Sequence, residues 1–333
     1  MKRKLSQQQK RRIEQRQKSR RDRADTQTPS SAGPEHTGVV VAHYGQQLAV
    51  LPHDGEQAGH LLRAYAKATV GELVTGDEVV WSPADDGKGL IVARRERTSE
   101  LRRPDNFGNL KAVAANIDQV VLVIAPEPEP HDNLIDRYLA AAEINDLSAV
   151  ILLNKADLID ESNRAGLESL LARYQRLGYP VLRTSAMEPE SPEVTDLLSG
   201  RTSIFAGQSG VGKSSLVQQL LPEETLRVGA LSDSGKGTHT TTTAYRYALP
   251  SGGAIVDSPG IREFGLWHLT SEQLTEGFVD IREFANQCRF RDCRHQQEPG
   301  CALKEAVDKG DLDPERLHSF RRIQYELEQQ SRG

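Results

Sequence analysis

The stretch Gly207-Gln208-Ser209-Gly210-Val211-Gly212-Lys213-Ser214 fits G-x-x-x-x-G-K-[ST] at every fixed position and constrains the fold more than any other part of the chain. Residues 202–206 before it read as a short apolar strand, and residues 215–221, from Ser215 on, read as a helix. A strand, a glycine loop and a helix in that order form one unit of a sheet covered by helices. The glycines let the backbone curl until its N–H groups face a single anion. Lys213 then reaches the outer phosphates, and the Ser214 hydroxyl is a candidate Mg²⁺ ligand. The expected ligand is a nucleoside triphosphate.

Residues 112–266 alternate apolar strand patterns with amphipathic helix patterns, which predicts an α/β domain with a mostly parallel sheet. Strands are expected at 119–125, 148–153, 180–183 and 202–206, with helices at 132–143 and 161–177. Asn154-Lys155-Ala156-Asp157 sits at the carboxyl end of the second of these strands, where open α/β sheets bind ligands. Its chemistry selects guanine, because the Asp157 carboxylate can accept from N1–H and the 2-amino group together. Adenine offers neither donor, so the carboxylate would stay buried and unpaired. Lys155 would lie along the base, and Asn154 would tie this loop to the phosphate loop. Ser185-Ala186, after the next strand, can direct a backbone N–H at the guanine O6.

Asp257-Ser258-Pro259-Gly260 fits D-x-x-G, a pattern expected about once by chance in a chain of this length. Its position at the end of a strand gives it meaning. Asp257 could hold Mg²⁺ through water, and Gly260 could offer its N–H to the γ-phosphate. Between the phosphate loop and Asp257 lies the hydroxyl-rich run Gly235-Lys236-Gly237-Thr238-His239-Thr240-Thr241-Thr242-Thr243. It reads as a switch in which a threonine, Thr241 in our assignment, ligates Mg²⁺ only when the γ-phosphate is present. A Ras-like GTPase runs phosphate loop, switch threonine, D-x-x-G, N-K-x-D, then S-A. Here N-K-x-D and S-A come first, which is one cyclic shift and leaves the loops free to keep their places on the sheet.

Net charge is −5, but it is unevenly spread. Residues 1–24 carry eleven Lys and Arg against Glu14 and Asp22, or +9, leaving 31 basic against 45 acidic residues, or −14, in the remainder. Residues 1–35 hold few apolar side chains and predict a basic, disordered tail suited to a polyanion such as RNA. A mitochondrial presequence would share that composition but needs an apolar helical face, which this tail lacks. Residues 36–100 show short β patterns separated by glycines, as a small OB-like barrel would. Tyr44, Tyr65 and Trp81 there are either core or candidates for base stacking.

No apolar run approaches the ~18 residues a spanning helix needs, and no apolar stretch follows the N-terminal charges, so neither a membrane span nor a secretory signal is expected. Three cysteines in a chain without such a signal point to a reducing, cytoplasmic setting. All three, Cys288, Cys293 and Cys301, cluster around His295 as C-x4-C-x-H-x5-C, the ligand set of a closed structural Zn²⁺ site. Arg289, Arg291 and Arg294 are interleaved with them. Residues 314–329 predict a polar amphipathic helix with Leu317, Phe320, Ile323 and Tyr325 as its apolar residues, packed on the zinc module.

The permuted order, the β region before it, the run from Gly237 to Thr242 and the cysteine cluster together resemble the ribosome small-subunit-dependent GTPases, the RsgA or YjeQ family, over about residues 37–305. Beside the basic tail (1–35), which the resemblance does not cover any more than the end after 310, it implies an OB-like barrel (36–100), a circularly permuted α/β P-loop GTPase domain (101–270) and a zinc-binding, mostly helical C-terminal domain (271–333). It implies a monomeric, Mg²⁺-dependent GTP hydrolase that binds GTP and GDP, contacts rRNA and acts late in maturation of the small (30S) ribosomal subunit, which stimulates turnover. Lys213 and Thr241 would serve catalysis. Ile261 stands where Ras-like proteins carry a water-orienting glutamine, and His239 is the family-derived candidate to replace it. Two other readings stand beside this one: an RNA-binding assembly factor that senses GTP with negligible turnover, and a permuted GTPase acting on the large subunit or another RNA.

Overall fold

The computed structural model describes residues 33–45, 47–104, 110–185, 191–221, 244–257 and 270–332. It divides into two compact units, Met1–Arg97 and Thr98–Gly333.

The first unit is a closed five-stranded barrel. Its strands are β1 (His36–Tyr44), β2 (Gln47–Pro52), β3 (Leu62–Ala66), β4 (Glu78–Pro83) and β5 (Gly89–Arg94). They run in the order β1-β2-β3-β5-β4, and β4 pairs back onto β1 to close the ring. The pairs are antiparallel except β3 with β5, which is the OB arrangement. Every second residue turns inward, so Val40, Val50, Val79, Trp81 and Ile91 fill the interior. Trp81 is 2% exposed and its indole N–H donates to the Thr37 carbonyl at 3.3 Å, which makes it core and unavailable to a base. The buried Asp77 carboxylate accepts from Arg97 at 2.7 and 2.8 Å and from the Val74 N–H at 2.7 Å, pinning the chain where it leaves the barrel.

The second unit opens with a hairpin of β6 (Glu100–Pro104) and β7 (Leu110–Ala115), a pair absent from the strands expected from sequence. The sheet follows: β8 (Gln119–Ile124), β9 (Ser148–Leu153), β10 (Val181–Arg183), β11 (Thr202–Ala206), β12 (Tyr245–Ala248) and β13 (Ala254–Asp257). Its helices are α1 (Asp132–Ile144), α2 (Arg164–Arg176), α3 (Pro192–Leu198) and α4 (Lys213–Leu220). The strand order is β10-β9-β8-β11-β13-β12, parallel except for β12. All six residues of β8 are buried, as a central strand covered on both faces must be. Val120, Leu122 and Ile124 face α1 and α2, while Val121 and Val123 join the core shared with α3 and α4.

Beyond residue 270 come α5 (Ser271–Glu276), α6 (Arg282–Ala285), α7 (Ala302–Lys309) and α8 (Pro314–Arg332). Leu317, Phe320, Ile323 and Leu327 of α8 are buried in one core with Ile135 and Leu139 of α1. Tyr325, expected on that face, is 60% exposed. Two residues past Ile323 is about 200° around a helix, so Leu327, not Tyr325, continues the stripe. Arg316 of α8 is 2% exposed and reaches across to α1. It donates to Asp136 Oδ1 and bidentately to Asp280 at 2.7 and 3.0 Å, with its guanidinium 4.4 Å from the centroid of the Phe278 ring.

Candidate functional site

The loop after β11 adopts its curl only because glycines occupy two tight positions. Gly207 has φ +130°, and a Cβ there would lie 2.1 Å from the Val123 carbonyl oxygen. Gly212 has φ +94°, and a Cβ there would lie 2.3 Å from Asn154 Nδ2. Any side chain at either site would push the loop off the strands beneath it. The Lys213 ammonium donates to the Gly207 and Gln208 carbonyls at 2.8 and 2.6 Å, which folds it over the loop. Val211 is buried, whereas Ser209, Gly210 and Ser215 are exposed and Ser214 lies at the surface of the first turn of α4. The N–H groups of that turn are the ones a helix leaves for an anion.

Asn154 enters from the neighbouring side of β8. Its backbone N–H donates to Ile124 at 2.8 Å, and its side chain is fully buried. Nδ2 donates to the Val211 carbonyl at 2.8 Å, joining two loops 57 residues apart in the chain. Lys155 takes a left-handed conformation, φ 55°, and its ammonium donates to the Glu127 carbonyl at 2.9 Å. Ala156 N–H donates to the Thr184 carbonyl at 3.1 Å, and the Ser185 hydroxyl donates to Asp157 Oδ1. The Asp157 carboxylate is thus oriented by a side chain, where the sequence suggested only a backbone role for residue 185. Both loops flank β8, at the point where the chain, having built one side of the sheet, returns to build the other. Such switch points form the crevice that holds ligands in open α/β sheets.

Asp257 ends β13, which runs parallel to β11 in the register Ile204 with Val256. Lys213, Ser214 and Asp257 line one small cavity with Phe205, Val217, Ile255 and Val256. A hydroxyl and a carboxylate together are the hard oxygen donors that suit Mg²⁺. Ala186, His239, Thr241, Gly260 and Ile261 lie outside the described residues, as does the basic tail up to residue 32. Pro128 was not singled out from sequence, yet its ring lies 3.6 Å from where a Cβ on Gly210 would sit. Only its place in a Pro-Glu-Pro-Glu-Pro run marked that loop as unusual.

The second cluster lies on the loop between α6 and α7. One ligand atom from each of Cys288, Cys293, His295 and Cys301 falls within 4.8 Å of the others. His295 Nδ1 is 3.5 Å from Cys288 Sγ and 3.7 Å from Cys301 Sγ. A tetrahedron with Zn–S spokes of about 2.3 Å has edges of about 3.7 Å, so the donor set and spacing fit zinc. Ala302 N–H donates to Cys288 Sγ at 3.3 Å, and Arg321 of α8 donates to the His295 carbonyl, tying the loop to the last helix. Burial pushes the Cys293 thiol up to about 12 and pulls the His295 imidazole below its usual value. Four protein donors leave no open position, as a structural site requires.

Among the described residues, no helix is long and apolar enough to cross a membrane. Residues 94–267 match the family described as RsgA GTPase. The chain is 56% identical to the Small ribosomal subunit biogenesis GTPase RsgA of Marinobacter nauticus, over 100% of its own length and 98% of that protein. Its fold is similar to the crystal structure of YjeQ from Thermotoga maritima, with TM-score 0.72 and 32% identity, covering 88% of this chain and 99% of that one. It is also similar to YloQ, described as a circularly permuted GTPase, with TM-score 0.70 and 28% identity over 89% of this chain and 96% of that one.

Proposed function

The chain belongs to the RsgA GTPase family, and on that premise we propose that it is a cytoplasmic, monomeric GTP hydrolase whose nucleotide state gates binding to the small ribosomal subunit during its maturation. The observation that carries this reading is the 2.8 Å bond from Asn154 to the Val211 carbonyl. It ties a loop with guanine-reading chemistry to a loop with phosphate-binding chemistry, although the chain meets them in permuted order.

In this reading GTP lies across β8, its base toward Asp157 and its phosphates over residues 207–215. Asp157 accepts from N1–H and the 2-amino group, and Ser185 holds the carboxylate in place. Rejecting adenine in this way is worth roughly several kcal/mol, because the carboxylate would otherwise stay unpaired. Lys155 covers the base, and Ala186 offers its N–H to O6. Lys213 moves from the Gly207 and Gln208 carbonyls to the outer phosphates, where positive charge matters most as the γ-phosphoryl group separates. Ser214, Thr241 and Asp257 are the residues that would hold Mg²⁺, which supplies charge neutralisation between the phosphates. His239 orients the attacking water, Gly260 meets the γ-phosphate, and Cys288, Cys293, His295 and Cys301 would hold one structural zinc ion. The basic tail (1–35), barrel (36–100) and C-terminal part (271–333) divide the rRNA contacts among them.

The test is hydrolysis of GTP against ATP, with and without purified small subunits. The expected result is GTP preference and a rate raised by the small subunit. Equal turnover of both nucleotides, or retention on large subunits alone with a non-hydrolysable GTP analogue, would sink the proposal.

A further inference from the structure

Phe290 is 43% exposed, a large apolar ring left in solvent on the loop that carries the cysteine cluster. One such ring is ordinary on a protein surface. Its surroundings are not. On the same loop Arg289, Arg291 and Arg294 are exposed, and among the described residues none of the three enters an ion pair. The Arg289 guanidinium lies 5.5 Å from the centroid of the Phe290 ring, within cation–π range.

The backbone beneath these side chains is held at several points. Arg289 N–H donates to the Gly300 carbonyl at 3.0 Å, and Cys293 N–H donates to the Phe290 carbonyl at 3.3 Å. The Glu298 carboxylate accepts from the N–H groups of Arg294, Gln296 and Gln297 at 3.0, 2.9 and 3.1 Å. Gly300, at φ +73°, lets the returning strand of the loop approach so closely that a Cβ there would sit 2.9 Å from Arg289 Cβ. The ring and its cations are therefore presented already ordered, which lowers the entropy cost of docking something on them.

We propose that Phe290 is a stacking platform for one unpaired base of ribosomal RNA, with Arg291 and Arg294 meeting the flanking phosphates and Arg289 completing the face. This rests on the reading that the chain binds the small ribosomal subunit, and names one surface by which it does so. The charge decides the class of partner: three guanidinium groups outside any described ion pair, against the carboxylates of Asp292 and Glu298 on the same loop, leave a net positive face beside an apolar ring, which suits a chain with a phosphate at every nucleotide and a π-face between them. The strand must be single, because a paired base in an A-form helix offers no open face.

The experiment uses the full-length, zinc-loaded protein and compares wild type, Phe290→Ala, Phe290→Trp and the pair Arg291→Gln with Arg294→Gln. Binding is measured at two salt concentrations to purified small subunits, to rRNA stripped of protein, and to a mixed-sequence single-stranded RNA oligomer. Phe290→Ala is expected to weaken all three about 5- to 160-fold, the range one aromatic–base stack spans, while zinc content and basal GTP turnover stay unchanged. Phe290→Trp should stay within about threefold of wild type, because its ring also stacks. The arginine pair should flatten the slope of log affinity against log salt by about 1 to 2, as loss of two phosphate contacts on a single strand does. Phe290→Ala binding as wild type, with wild type bound to small subunits, would overturn the stacking assignment and leave the proposed function standing. Loss confined to intact subunits, with stripped rRNA and oligomer unaffected, would make the partner a protein and overturn it as well. Wild type that fails to bind small subunits would refute the proposed function itself, and the oligomer would then decide the stacking alone.

Discussion

Arg316→Leu tests what holds the C-terminal helices to the nucleotide-binding core. The guanidinium is 2% exposed and makes three hydrogen bonds, one to Asp136 and two to Asp280. Burial acts to pull the guanidinium down, but the two carboxylates outweigh it and hold Arg316 above its usual range. Leucine keeps part of the contact with Phe278 and removes the charge, leaving Asp136 buried without a counterion. Breaking a buried pair from one side costs about 3–5 kcal/mol. For a unit of this size that corresponds to a Tm lower by about 6–20 °C. Urea unfolding followed by circular dichroism, with zinc and nucleotide held constant, measures the difference directly. The pH dependence has a definite sign. Burial already pushes the Asp136 carboxyl above its ordinary value, and without Arg316 nothing of comparable strength opposes it. A carboxyl whose folded pKa exceeds its unfolded value of about 3.9 favours folding in its protonated form, so the variant's deficit against wild type should be smallest near pH 4 and grow as pH rises. Adding Asp136→Asn should recover much of the loss at pH 7. As a control, Arg322→Ala removes an arginine that is 63% exposed and paired with Glu326 one turn on, and should cost less than about 0.5 kcal/mol. An Arg316→Leu penalty under 1 kcal/mol, or one independent of pH, would refute the argument.

Lys213→Ala should lower GTP turnover at least about 100-fold, measured as phosphate release, because it removes the ammonium that lies over Gly207 and Gln208 of the loop. Asp157→Asn should shrink the preference for GTP over ATP by about tenfold or more in competition binding, and unchanged selectivity would contradict the assignment of the base site. Gly212→Ala places a Cβ 2.3 Å from Asn154 Nδ2 at φ +94°, so nucleotide affinity should fall by at least about tenfold in a titration. Zinc should bind at about one ion per chain by metal analysis, and its affinity should fall as pH falls. The sign follows from the Cys293 thiol, which burial holds at about 12, so the free site is protonated at neutral pH and metal must displace that proton.

What could be read from the chain alone divides along a physical line. The phosphate loop, N-K-x-D and the cysteine cluster were legible because each demands particular side chains at fixed short spacings, and the resulting geometry is local. The central strands were legible for a related reason: β8 and β9 are buried on both faces, so their apolar runs are continuous, and Ser148–Leu153 and Thr202–Ala206 begin and end where the pattern does. The barrel was harder to read, because β3 (Leu62–Ala66) carries an exposed Arg63 in mid-strand and pairs in parallel with a distant β5. The β6–β7 hairpin was hidden by Arg102 and Arg103, whose charges say nothing about backbone pairing. Least visible were contacts that join remote segments. Arg316 meets Asp136 across 180 residues, and neither has a neighbour in sequence that announces the other. The same holds for Ser185, whose hydroxyl meets Asp157 only because β9 and β10 are adjacent in the sheet. Motifs state which chemistry a chain can perform, whereas the partners that orient its groups are chosen by topology. The variants that distinguish an orienting role from a direct one therefore lie at Ser185, whose motif announced only a backbone role, and at Arg316, outside every motif. Ser185→Ala, which leaves the Asp157 carboxylate in place and removes only its hydrogen-bond donor, should reduce guanine selectivity less than Asp157→Asn does. Equal losses would mean that the carboxylate reads nothing unless it is held.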